Sequence, residues 1–210
     1  MASTTVLKEI AAERFTGPRA TISLSNIVKT ILVIGQRKAI GRASLSKEVG
    51  VGEGVTRTII ARLKKKTFLT VTNKGCILSK KGETLYSALS AKLIRIANVE
   101  GKELNIGGKY SALLTRNIQF SSHPILDYRD TAIRAGASGA ILMTSEKKKL
   151  AIPSVTDEAG IYAPRLANDL RNKLDPKDGD MIIVCGAPTY RDAENAAIAV
   201  ALSMVDEERF

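Results

Sequence analysis

The stretch Gly50-Val51-Gly52-Glu53-Gly54-Val55-Thr56-Arg57 places three glycines at alternate positions ahead of an apolar and basic run that ends at Lys66. Two chemistries fit such spacing. Backbone amides clear of side chains can cradle a phosphate, as in nucleotide-binding enzymes. Alternatively, the glycines form the tight turn of a helix-turn-helix whose second helix enters a nucleic-acid groove. A dinucleotide fingerprint needs a strand ahead of G-x-G-x-x-G, whereas here a short helix is expected to precede it, and Val55 stands three residues after Gly52. The Walker pattern needs Gly-Lys-Ser/Thr at fixed spacing, which the sequence lacks. The turn is therefore the better reading, with some of the glycines in backbone conformations closed to bulkier residues.

Other residues with chemical potential do not assemble into a catalytic set. His123, the one histidine, sits between Ser122 and Pro124 with Ser121 nearby, but no base-orienting acid is identifiable, so a loop histidine is expected. Asp127, Arg129 and Asp130 could bind a cation or a ligand, yet acids collect in the first turn of a helix for dipole reasons alone. Cys76 and Cys185 are far apart, with no metal-ligand spacing, and are expected as buried free thiols. No cofactor, metal or catalytic residue is assigned, and the expectation is a binding protein rather than an enzyme.

Charge is more informative when divided along the chain. The 210 residues carry a formal net charge of +11. Residues 1–98 hold 18 Lys and Arg against 5 Asp and Glu, a balance of +13, while residues 99–210 hold 14 against 16, a balance of −2. A basic excess confined to one half points to an N-terminal part that meets a polyanion. No apolar run approaches the roughly 18 residues of a membrane span, and the N-terminal MASTTVLKEIAAERF carries acids and lacks the apolar core of a signal peptide. A cytoplasmic protein with no membrane partner is expected.

The elements that must position the basic residues follow from periodicity. Leu24, Ile27, Val28, Ile31 and Leu32 recur at helical spacing up to Gly35, which reads as a stop. A short second helix follows, with Ser44 as its cap and Leu45 and Val49 on one face, ending at Gly50. In the third, Val55, Ile59, Ile60 and Leu63 face inward and Arg57, Thr58, Ala61 and Lys65 outward. Phe68–Thr72 and Cys76–Leu78 read as strands around an Asn73-Lys74-Gly75 turn, and Ser79 caps a further helix expected to run through Leu89 into Asn98 as a rigid connector. Helix, helix, tight turn, helix, two-stranded wing, helix is the order of a winged helix-turn-helix. Its nucleic-acid-binding residues would be Arg57, Thr58, Lys64 and Lys65, with Arg62 on the flank, Lys74 at the wing tip, and Lys80 and Lys81 behind it. Most of these would neutralise phosphates, and Arg57 could read a guanine edge.

Residues 99–210 read as an α+β domain, a small sheet covered by helices. Strands are expected at 110–115, 140–144, 150–152 and 181–185, and helices at 127–135, 165–174 and 192–204. The last helix carries Ala193, Ala196, Ala197, Ala199 and Ala201, which suit close packing on the sheet first and a homodimer seam second.

The stretch LSKKGETLYSAL resembles the segment after the wing in many prokaryotic winged-helix regulators. GVGEGVTRT, together with RDTAIRAGASGAILM, KLAIP and GDMIIVCGAPTYRDAENAAIAVALSM, resembles an archaeal family of two-domain proteins. In that family a winged helix precedes a domain similar to the GAD domain of aminoacyl-tRNA synthetases and amidotransferases. The resemblance spans nearly the whole chain and implies fold rather than activity.

Two readings follow. The first is a double-stranded-DNA-binding transcriptional regulator whose C-terminal domain dimerises or senses a ligand. The second is a ribosome-associated factor in which the same basic domain binds structured RNA or the small subunit through shape and phosphates.

Overall fold

A computed structural model describes residues 3–12, 22–118 and 125–207. The chain divides into two compact units, Met1–Ser90 and Ala91–Phe210.

The first unit begins with helix α1 (Ser3–Ala12), absent from the sequence-based elements, which buries Leu7 and Ile10 and packs on helix α2 (Leu24–Arg37). The Ser23 side chain accepts the Asn26 amide and starts α2, while Ile27, Val28, Ile31 and Ile34 form its inward stripe. Gly35 does not stop this helix. It lies inside it, where a side chain would collide with the ring of Tyr86.

Helix α3 (Arg42–Val49) starts at Gly41 rather than Ser44, which lies within its first turn. Gly50 ends α3 with φ +79, the left-handed conformation that favours glycine. The buried Ser46 hydroxyl donates to the Val51 carbonyl and holds the turn closed ahead of helix α4 (Glu53–Lys65). Strands β1 (Leu69–Thr72) and β2 (Gly75–Leu78) form an antiparallel hairpin, and Ile40 bridges to Cys76 beside it. Gly75 has φ +110, and a side chain there would strike the Ile40 carbonyl. Ser79 caps helix α5 (Lys80–Ser90) by accepting the Gly82 amide, as expected.

Beyond Ser90 the expected helix is a strand instead. Residues Leu93–Val99 form β3 at one edge of the second unit's sheet, pairing antiparallel with β4 (Lys109–Thr115). The expected rigid connector into Asn98 is thereby corrected, and the residues from Ala91 to Asn98 fall in the second unit rather than the first.

The sheet continues through β5 (Gly139–Glu146), β6 (Lys149–Ala151) and β7 (Met181–Ala187), in the order β3-β4-β7-β5-β6, antiparallel throughout. Its helices are α6 (Ile125–Arg134), α7 (Pro164–Leu174) and α8 (Tyr190–Glu207). One sheet face packs Ala112, Leu114, Met143, Ile182 and Val184 against Leu166, Leu170 and Leu174 of α7. Strand alternation turns Leu113, Ile183 and Cys185 to the other face, where α8 lies on β4 and β7 and α6 on β5 and α8. The α+β class is as expected.

Ala193, Ala196, Ala197 and Ala201 of α8 are fully buried within this unit and serve packing there, while Ala199 is half-buried. At the sheet's end, Arg116 donates from Nε and Nη2 to both oxygens of the buried Asp180, each at 2.7 Å. The Lys177 amide also donates to Asp180. Burial pushes the Asp180 carboxyl up, but these donors outweigh it and hold it below its ordinary value.

Candidate nucleic-acid interface

Helix α4 buries Thr56, Ile59, Ile60 and Leu63 and turns Gly54, Arg57, Ala61, Lys64 and Lys65 to solvent. Arg57 and Lys64 have no side-chain hydrogen bond or ion pair among the described residues. Thr58 is half-buried, and its hydroxyl donates to the Gly54 carbonyl, so it belongs to the helix before it belongs to a ligand.

Of the three glycines, only Gly50 is required by its backbone. Gly52 caps α4 at φ −62 and ψ 153, and Gly54 lies in its first turn; a side chain at either would meet nothing within 4 Å. The N-terminal end of α4 is therefore open at Gly52 and Gly54, with the exposed Glu53 between them. Because helix α3 precedes the turn, the arrangement is not the strand-loop-helix of a dinucleotide site.

Lys74 stands exposed at the tip of the hairpin, its amide donating to the Thr72 hydroxyl. Lys80 is exposed at the start of α5. Lys81 is engaged inside the unit: its ammonium donates to the Lys66 carbonyl at 3.2 Å and lies 4.4 Å from the Phe68 ring centre. Lys66 pairs with Glu9 of α1 at 3.3 Å.

Arg62 departs most from the expected flank position. It is 6% exposed, and its Nη1 donates to the carbonyls of Ile10 and Ala11 at 2.9 and 3.0 Å. Those carbonyls lie at the end of α1, where a helix leaves acceptors unpaired and a cation is favoured by the dipole. Arg62 is therefore a cap for α1 rather than a surface cation.

Sequence reasoning missed Arg42 and Lys47 of α3, both exposed and without an ion pair among the described residues. Arg42 opens α3 immediately after the Ile40–Cys76 bridge, and its charge partly offsets the burial that pushes the Cys76 thiol up. Periodicity was the available signal for Lys47, which lies in the last turn of α3 on the side away from Leu45 and Val49, whereas Arg42 falls ahead of the helix start expected at Ser44.

Among the described residues no group of three or more His, Cys, Asp or Glu could hold a metal ion, and no helix is long and apolar enough to cross a membrane. Both cysteines are buried and free, and burial pushes the Cys185 thiol up to about 12. His123, with Ser121 and Ser122, lies outside the described residues.

Comparison with known proteins agrees with the two-part division. Residues 26–93, from α2 through α5 to the first residue of β3, match the family described as the CggR N-terminal DNA binding domain. Residues 106–204 match a family described as Domain of unknown function (DUF4443). Among solved structures, the hypothetical protein PH0730 from Pyrococcus horikoshii OT3 is similar at 25% identity and a TM-score of 0.71, over 90% of this chain and 96% of that one. No curated protein matches the chain.

Proposed function

We propose that the first unit is a winged helix-turn-helix that binds double-stranded DNA, and that the protein is a cytoplasmic transcriptional regulator rather than an enzyme. The observation that carries this reading is the exposed face of α4. It presents Arg57 between the small residues Gly54 and Ala61, and Lys64 just beyond Ala61, neither with a partner among the described residues, beside a hairpin tipped by Lys74. The match of residues 26–93 to the CggR N-terminal DNA binding domain supports the same reading.

An exposed helix face of this kind suits the major groove of B-form DNA, about 12 Å wide, which admits an α-helix. A-form RNA closes that groove to side chains. Arg57 is the residue to read a base edge, with Arg42, Lys47, Lys64, Lys65, Lys74 and Lys80 neutralising phosphates. The second unit, which resembles a GAD-like domain, serves assembly or ligand sensing and needs no cofactor for DNA binding.

Fluorescence anisotropy of the full chain, titrated into a random duplex DNA and into the double-stranded RNA of the same sequence, tests the reading. Tighter binding to DNA is expected. Equal or tighter binding to the RNA duplex, or to a ribosomal small subunit, would transfer the function to the ribosome-associated alternative.

A further inference from the structure

Between α3 and α4 the chain turns through Gly50, Val51 and Gly52. Two glycines flanking one valine leave this backbone free by composition, and Gly50 uses that freedom at φ +79. A single residue of α3 then pins it. The Ser46 carbonyl accepts the Gly50 amide at 2.9 Å and the Val51 amide at 3.2 Å, and the Ser46 hydroxyl donates to the Val51 carbonyl at 2.5 Å. Ser46 is 7% exposed, so little water competes for these bonds. Its own helix is anchored in turn: Leu45 and Val49 are buried, and Glu48 pairs with Arg37 of α2 at 3.1 Å.

We propose that Ser46 is a positioning residue for DNA reading, which fixes α4 against α3 so that Arg57 meets a base edge while Arg42 and Lys47 rest on phosphates. This role rests on the DNA-binding reading of the first unit. Apolar packing between the two helices is non-directional and tolerates small rotations. The hydrogen bonds of Ser46 supply the direction, to the tolerance of about 0.5 Å that a bidentate base contact needs. Phosphate neutralisation is more forgiving, because Coulomb attraction falls off slowly with distance. Loss of the Ser46 hydroxyl therefore removes discrimination between sequences before it removes general affinity.

Thr56 provides the control. Its hydroxyl is also buried, at 2% exposure, and donates to the Gly52 carbonyl at 3.2 Å. That carbonyl already accepts the Thr56 amide at 3.0 Å, and both residues belong to the start of α4. Deleting this hydroxyl removes a buried hydrogen bond without releasing the turn from α3.

Fluorescence anisotropy of the full chain on two duplexes is the test, one enriched by the natural sequence from a randomised DNA pool and one random. Ser46→Ala is expected to lower the ratio of the two affinities about tenfold, with random-duplex affinity and salt slope nearly unchanged. Ser46→Thr, which keeps the hydroxyl, should hold the ratio. Thr56→Val should lower Tm comparably to Ser46→Ala and also leave the ratio in place. Without DNA, hydrogen exchange at the Gly50 and Val51 amides should quicken in Ser46→Ala and not in Thr56→Val. Equal losses on both duplexes, an unchanged ratio, or the same fall in ratio with Thr56→Val would overturn the role of Ser46 alone. A natural sequence that enriches no duplex would overturn the DNA reading and this role with it.

Discussion

The two units contain the same number of basic side chains and differ in what their acids do with them. Met1–Ser90 holds 16 Lys and Arg against 5 Asp and Glu, and Ala91–Phe210 holds 16 against 16, so the whole net charge of +11 lies in the first. In the second unit Arg116, Lys149, Arg171, Lys173, Lys177 and Arg191 all lie in ion pairs with acids of the same unit. In the first, Arg42, Lys47, Arg57, Lys64, Lys74 and Lys80 have no ion pair among the described residues. Scarcity of acids, not abundance of bases, is what leaves a surface ready for an external anion.

The comparison can be broken most sharply where a charge is structural. Arg116→Ala leaves Asp180 buried with only the Lys177 amide, and should cost about 2 to 3 kcal/mol of stability. That is below the value for a fully buried pair, because the Arg116 side chain is 39% exposed. Binding to DNA by the folded protein should be unchanged. The Asp180 carboxyl is held below its ordinary value in the folded state, so its contribution is present above the unfolded-state value of about 4. It is lost as pH falls through the lower folded value. Asp180→Asn should therefore flatten the loss of stability toward acid pH, which thermal unfolding followed by circular dichroism at a series of pH values checks in both proteins.

Next in size are two arginines five residues apart on α4. Arg62→Ala should lower stability by about 1 to 3 kcal/mol by uncapping α1, leaving the salt dependence of DNA binding unaltered. Arg57→Ala should leave Tm fixed and cost about 1 to 3 kcal/mol on a preferred site, flattening discrimination between sequences. Thermal melts and anisotropy on both variants check the pair, and exchanged outcomes would reverse the assignment of the two faces.

Smallest is Gly54→Ala. A methyl group at 54 meets nothing within 4 Å, so α4 should gain roughly 0.5 to 1 kcal/mol. Should DNA affinity rise or stay level alongside Tm, no close backbone approach occurs at the start of α4.

The order of elements from α2 to α5 was legible because these helices carry one-sided apolar stripes and the turns carry Gly50, Asn73 and Gly75, local signals that need no distant partner, whereas α1 was missed. What failed was non-local. Leu93, Ile94 and Ile96 fit a continuing helix as well as a strand, and only pairing with β4 decides for β3. Arg62 lies on the flank of a basic helix in sequence, and its buried role depends on carbonyls some fifty residues earlier. Lys81 likewise belonged to the surface set until Phe68 and the Lys66 carbonyl were placed beside it. The alanines of α8 were legible as packing residues and not as a seam, because composition does not say which surface a helix covers. The free cations Arg57, Lys64 and Lys74 were visible from the start, since exposure at the outer face of an amphipathic helix or a hairpin tip follows from periodicity alone.

The most direct measurement compares two full-length variants that each lose three positive charges, titrated with one duplex DNA across a range of salt. One replaces Arg57, Lys64 and Lys74 with Ala; the other replaces Lys147, Lys148 and Lys149, at the β5–β6 turn of the second unit. The first is expected to lose affinity at every salt concentration and to show a log–log salt slope smaller by about three, while the second keeps the slope of the natural sequence. Equal losses in both variants, or a loss confined to the second, would contradict the assignment of DNA binding to the face of α4 and the hairpin.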